Sequence, residues 1–244
     1  MTETATSDPT SSTAATSVER AAAPPTFDWL FVVAVLAVIA TFIRAIFFTP
    51  MDALQGPAQK IYYVHPPSAW VAFLAFGVVA VASILYLWMK DPRLDRLAEC
   101  SAEVGVVFTT ITLITGSLWG KPIWGTWWTW DARLTSTLFL WFIYVGYLIL
   151  RGAVEDAAMR ARYSAVLGIL GSLLIPFIHL SVYLFRTLHP MPIIGKPSRP
   201  SLPNDMLVTF LMSFCAFTLL YAALLRARYR LATDQAALDA EEGR

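Results

Sequence analysis

The chain has 244 residues, 57% apolar and only 14% charged, with a mean hydropathy of +0.59, which excludes a soluble globule and describes an all-α, polytopic membrane protein. Eighteen Lys and Arg against seventeen Asp and Glu leave a formal net charge of +1, so no basic field exists to gather nucleic acid. The only cysteines, Cys100 and Cys215, form neither a C-x-x-C pair nor a C-x-x-C-H haem-attachment sequence, which excludes a disulfide scaffold and a c-type cytochrome.

Residues 1–26 are Ser, Thr, Ala and Pro with a few charges, a composition that cannot bury enough apolar surface to offset the entropy of ordering. A disordered polar tail is expected there, without the basic start and short apolar run of a cleaved secretory signal. Crossing about 30 Å of hydrocarbon takes roughly 20 mostly apolar residues, and six stretches meet that length or approach it. They run approximately from Trp29 to Thr49, Ser68 to Met89, Ala102 to Trp119, Leu134 to Leu150, Tyr163 to Phe185 and Met206 to Leu225. The expected organisation is therefore a tail (1–26), a six-helix membrane domain (27–226) and a C-terminal tail (227–244).

Basic residues in the short connections set the orientation. With the N-terminus in the cytoplasm, that side holds Arg20, Lys90, Arg93, Arg96, Arg151, Arg160, Arg162, Arg226, Arg228, Arg230 and Arg244. The other side holds only Lys60, Lys121, Arg133, Arg186, Lys196 and Arg199, so both termini are expected in the cytoplasm. Connections 50–67, 120–133 and 186–205 then lie outside, and the chemically unusual residues are in them. Arg44, within the first span, is expected to snorkel outward, and Glu103 inward.

In the first outer connection, Tyr62-Tyr63-Val64-His65-Pro66-Pro67 places His65 at the N-terminal mouth of the second span, since proline suits a first helical turn. A helix N-terminus disfavours imidazolium, so this ring is held neutral, the form that donates a lone pair to a metal. The segment 119–135, which contains the second outer connection, holds Trp119, Trp124, Trp127, Trp128 and Trp130, five of the nine tryptophans. An aromatic belt spreads its rings over all spans, whereas these are concentrated in one connection. If 123–131 is helical, Trp124, Trp127, Trp128 and Asp131 share a face, an aromatic shelf suited to a large planar apolar ligand. Lys121 and Arg133 flank it and could pair with carboxylates on such a ligand. Asp131 is equally a cap for the fourth span, and Arg133 equally an interface anchor.

In the fifth span, His179 follows Pro176 and is expected inside the bundle near a proline kink, about 15 Å below His189 if the helix continues. Its expected roles are hydrogen bonding or a second waiting position for the ligand. Further on, Arg186-Thr187-Leu188-His189-Pro190-Met191-Pro192 leaves His189 at the outer C-terminal mouth of that span, where the helix end favours the protonated ring. A lone interfacial histidine is ordinarily a capping residue, but two at matched depth beside an aromatic shelf are suited to holding a haem iron from both faces.

The six spans, the segment W-G-x-W-W-x-W-D-x-R-L-T from Trp124 to Thr135 and one histidine in each flanking outer connection resemble the CcmC family of haem-handling proteins of cytochrome c maturation, a tryptophan-rich (WWD) group. The resemblance covers roughly residues 30–225. It implies that His65 and His189 are axial ligands of haem b, carried as cargo, and that Trp119, Trp124, Trp127, Trp128, Trp130, Asp131 and Arg133 support the porphyrin. It further implies delivery to the haem chaperone CcmE, and association with the transporter subunits CcmA and CcmB and the small membrane subunit CcmD, at the extracytoplasmic face of the inner membrane. Such a protein binds and presents haem, and is more a transfer protein assisting haem attachment to a partner than a turnover enzyme. The larger relatives that attach haem to apocytochrome have more spans and further histidines than this chain.

The chain holds no G-x-x-x-x-G-K-[ST] phosphate loop, because Gly116-Ser-Leu-Trp-Gly120-Lys121-Pro122 has the wrong spacing, so ATP hydrolysis is expected of a partner. Gly116 and Gly120 form a G-x-x-x-G pattern that permits close helix approach. Two other classes compete with the haem-handling reading. A resident b-type electron-transfer cytochrome would need histidine pairs within the bundle; a permease subunit for another solute would use the tryptophans only as anchors.

Overall fold

A computed structural model describes residues 28–191 and 202–242. The N-terminal tail, residues 192–201 and the last two residues lie outside that description, and with them the expectation of a disordered tail. Among the described residues there are seven α-helices: α1 (Trp29–Ile43), α2 (His65–Met89), α3 (Pro92–Trp124), α4 (Ala132–Ala153), α5 (Ala157–Ser172), α6 (Leu174–Leu184) and α7 (Asn204–Glu242). They make six membrane-capable spans, because α1 continues through a π-helical turn (Arg44–Phe48), a 3-10 turn (Pro57–Tyr63) leads into α2, and α5 and α6 act as one.

The helices outrun the apolar stretches that predict them. α3 begins ten residues before Ala102, since Asp91 caps it by accepting from Arg93 N and Pro92 occupies its first turn. Lys90, with φ 58°, is a left-handed one-residue corner, so α2 and α3 form a tight hairpin. The α5/α6 break at Leu173 lies three residues before Pro176, as expected where proline supplies no N–H to the preceding turn. It gives the kink expected in the fifth span.

α2 lies at the centre, packed on α3, α5 and α7, while α1 packs on α7 and α4 packs on α3, α5 and α6. Phe76 of α2 stacks on Tyr144 of α4 with ring centroids 3.7 Å apart, and the Tyr144 hydroxyl donates to Gly168 O at 2.8 Å, tying α5 to both. Several polar groups in the bundle are paired across helices, which offsets the cost of burying them. Ser101 Oγ donates to Ala75 O, Arg44 Nε donates across to Thr209 Oγ1 at 3.1 Å, and Trp141 Nε1 donates to Thr110 Oγ1. Arg44 is thus engaged with α7 rather than only snorkelling. At the opposite end from the tryptophan segment, the buried Arg151 guanidinium holds Asp95 at 2.7 Å and Glu99 at 2.8 Å. Glu103 pairs with Arg228 there, which gives its carboxylate a partner as well as a direction.

Candidate haem site at the histidine mouth

His65 is the first residue of α2, with Pro66 and Pro67 behind it. Its Nδ1 lies 3.1 Å from Thr112 O and 3.2 Å from Thr115 Oγ1, both on α3. A neutral ring donating Nδ1–H to that carbonyl keeps its lone pair on Nε2, the usual arrangement behind a metal-binding imidazole. α3 can approach this closely because residue 116 is glycine: a Cβ there would stand 2.9 Å from His65 Cε1. Gly120 does the same for an indole, since its Cβ would lie 3.1 Å from Trp124 Cε3. The G-x-x-x-G pattern therefore makes room for an imidazole and an indole of the site.

His189 reaches the same place from the far end of the chain. Its ring centroid is 6.2 Å from that of His65, with 38° between the planes, although the residues are 124 positions apart in sequence. Its loop is moored by Thr187, whose hydroxyl accepts from His189 N at 3.1 Å and donates to Asp131 Oδ2 at 2.9 Å. The other carboxylate oxygen of Asp131 accepts from Arg133 N and Leu134 N, capping α4. Asp131 is thus a cap and a mooring post, with both oxygens engaged by the protein.

Arg133, the second residue of α4, points Nη1 at His189 Nδ1, 3.2 Å away. The same Nδ1 is 3.1 Å from Pro190 O. A neutral ring satisfies one of these at a time, accepting from Arg133 or donating to Pro190. Helix position had suggested a push toward protonation, but α6 ends at Leu184 and its dipole fades within a turn. Burial and then the Arg133 cation dominate instead, and push His189 down to about 4.

The tryptophans do not form a single helical shelf. Gly125, with φ 77°, ends α3, and residues 125–131 are extended or turn, with Thr126 Oγ1 donating to Trp128 O. Trp119 meets His65 edge-on at 5.9 Å and donates Nε1 to Gln55 Oε1; Trp124 lies 6.3 Å from His189. Trp128 and Trp130 meet edge to face at 5.8 Å. Trp127 and Trp130 are exposed, with Lys121 Nζ 6.0 Å from the Trp127 ring and donating to Gly125 O. So two indoles flank the imidazoles, Trp127 and Trp130 form an exposed rim, and Trp128 is half-buried beside Trp130. Trp128 Nε1 is buried with no acceptor among the described residues.

His179, expected inside the bundle, is instead on the exposed face of α6, its ring 6.4 Å from Tyr183. Thr112, Thr115, Thr187 and Gln55 escaped the sequence reading: each is an ordinary polar residue whose role comes from a partner far away in sequence. Only the Gly116/Gly120 spacing signalled any of this support.

The sequence profile of the Heme exporter protein C family matches residues 10–242. The chain is 41% identical over 181 residues to Heme exporter protein C of Bradyrhizobium diazoefficiens, covering 74% of this chain and 69% of that one. It is 40% identical over 186 residues to Heme exporter protein C of Haemophilus influenzae, with 75% of each chain covered. A ccmC-like mitochondrial protein of cytochrome c biosynthesis from Marchantia polymorpha is 38% identical over 173 residues, 71% of this chain and 73% of its own. With the paired histidines and the tryptophan segment in place, these matches lead to one statement: the chain belongs to the Heme exporter protein C family.

Proposed function

We propose that this multi-pass membrane protein handles haem for cytochrome c maturation, holding haem b as cargo between His65 and His189 and presenting it to a CcmE-type chaperone. Among its partners would be the CcmA, CcmB and CcmD subunits. In this reading both termini are cytoplasmic and the histidine mouth opens on the extracytoplasmic side of the inner membrane, as the Lys and Arg distribution favours. The observation that carries the proposal is the convergence of the two imidazoles. Iron bound to one nitrogen of each ring at roughly 2 Å would set the ring centres about 6 Å apart, and they stand at 6.2 Å.

Haem supplies the Lewis-acidic iron and the planar apolar surface, and the chain supplies the grip. Trp119 and Trp124 give edge and face contacts beside the iron position, and Trp127, Trp128 and Trp130 extend that surface toward the rim. The unpartnered Trp128 N–H and the Arg133 guanidinium are donors for the carboxylates of the cargo. Arg133 also governs the proton on His189. While its guanidinium donates to Nδ1, the ring proton sits on Nε2 and that nitrogen has no lone pair to give. Turning Arg133 to a cargo carboxylate frees Nδ1–H for Pro190 O and leaves Nε2 basic. Carboxylate recognition and iron ligation are thereby coupled through one side chain, while Asp131 fixes the helix and loop that carry them.

The first turn of α2 and the loop beyond α6 supply one donor each at the mouth, whereas a resident electron-transfer haem is held between histidines inside a bundle, which this chain does not provide. The test is an optical titration of the detergent-purified protein with haem, beside His65→Ala and His189→Ala. The native protein gives a low-spin, two-imidazole spectrum and each substitution converts it; spectra unaltered in both variants would remove the ligand assignment.

A further inference from the structure

His179 is unexplained by a site confined to the mouth. It lies within the span Ala157–Leu184, yet it is exposed on the outer surface of α6 and has no hydrogen-bond partner among the described residues. An ionisable ring facing hydrocarbon is costly, and such positions mark ligand pathways. Among the described residues α6 packs mainly on α4 and, more lightly, on α5, and His179 lies on its exposed face.

The ring is not isolated from the site. One turn further on, Tyr183 is also exposed, with its ring 6.4 Å from the imidazole, and α6 packs against α4, the helix that carries Arg133. Arg133 in turn touches His189 at 3.2 Å. His179 and Tyr183 on the exposed face of α6, Arg133 on the neighbouring α4 and His189 in the loop beyond α6 thus form a line toward the mouth. His179 starts that line five residues, about 7.5 Å, below the outer end of the helix. A nitrogen donor, an aromatic face and a guanidinium in sequence match the iron, the ring and the carboxylates of one molecule.

We propose that His179 and Tyr183 form a lateral receiving position at which an iron porphyrin dissolved in the bilayer is caught before it rises to His65 and His189. The inference rests on the haem-handling reading above. The imidazole of His179 would bind iron weakly and give it up to the mouth histidines, an exchange of neutral ligands with no change in oxidation state. Tyr183 would guide the ring plane toward Arg133.

The native protein, His179→Ala and Tyr183→Phe, reconstituted in nanodiscs, are loaded from haem-doped phosphatidylcholine vesicles or from haem in detergent micelles, and Soret absorbance is followed in time. His179→Ala is expected to load roughly fivefold more slowly from vesicles, the loss of about 1 kcal/mol from the path, with the same final spectrum and stoichiometry. Loading from micelles, which bypasses the bilayer, keeps its native rate. In a second measurement, the His65→Ala/His189→Ala double variant retains a weak one-imidazole spectrum that disappears when His179→Ala is added. Equal vesicle rates, or a final spectrum altered by His179→Ala alone, would overturn the receiving position while leaving the mouth assignment intact. A native protein that binds no haem from either source would instead overturn the reading on which it rests.

Discussion

Gly116 offers the most direct test of how the site is assembled, because its side chain is one hydrogen and its neighbour is the imidazole. Gly116→Ala would place a methyl 2.9 Å from His65 Cε1 and 3.4 Å from Nδ1. Carbon atoms pack at about 3.5 Å or more, so the ring must move by roughly half an ångström. It has little freedom to do so, being held by Thr112 O and Thr115 Oγ1 on one side and backed by the Trp119 ring. Disturbing the partners that orient a ligating imidazole costs roughly 10- to 100-fold in metal affinity. The helix itself gains, since alanine is favoured over glycine by about 1 kcal/mol in a helix interior. The expected signature is therefore a haem affinity lowered about tenfold or more with thermal stability unchanged or improved, and a larger loss for Gly116→Val. Gly146→Ala is the control, because a Cβ there meets nothing within 4 Å. Soret titration and a circular-dichroism melt read the two quantities separately. Native affinity and spectrum in both Gly116 variants would refute the claim that α3 positions His65 through this contact.

Two further perturbations act on other parts of the molecule. Arg151→Leu strands Asp95 and Glu99 around a guanidinium side chain that is only 5% exposed; with Glu99 itself at 36%, the cost falls at the low end, about 3 kcal/mol, or roughly 6–12 °C in a thermal melt. Haem binding per folded molecule stays native, and an unshifted melt would show that the pair contributes nothing. His189, lowered to about 4 from an ordinary 6.5, is neutral in the folded chain at pH 7. Acid then protonates the unfolded chain first, so this residue's contribution to stability is present above 6.5 and declines as pH falls from about 6.5 to about 4. Proton competition for the haem ligand begins only near 4, and Arg133→Gln moves that onset upward by removing a cation. Soret absorbance followed from pH 7.5 to 4 checks this, and half-loss near 6.5 in the native protein would contradict the burial of His189.

Much of this architecture was legible because bilayer physics writes in long runs: six apolar stretches announce six spans, and prolines beside His65 mark where a helix begins. The pairing of His65 with His189 was approachable from their shared depth. Helix ends were less so, since α3 gains ten residues, nearly three turns, before Ala102 from the Asp91 cap and the left-handed Lys90, where hydropathy falls. In the tryptophan segment, periodicity gives a shared face only if 123–131 is helical, and the positive φ of Gly125 ends α3 there instead. His179 was expected inside the bundle because it is ionisable, and its actual facing depends on which neighbours α6 lacks. The supports at Thr112, Thr115 and Thr187 are illegible in principle: nothing local distinguishes a threonine that steadies an imidazole from one that bonds only its own helix.

The two imidazoles are mounted with very different firmness. His65 is rooted in the first turn of a long central helix and wedged against a neighbouring backbone, whereas His189 hangs on a few residues of loop moored through one hydroxyl to Asp131. A clamp built with one anchored jaw and one hinged jaw opens on the hinged side. Under the proposed role, handing over the cargo then requires no rearrangement of the bundle: a recipient that loosens the Thr187 tether lets His189 swing away, while His65 keeps its hold until the new owner has taken the vacated face.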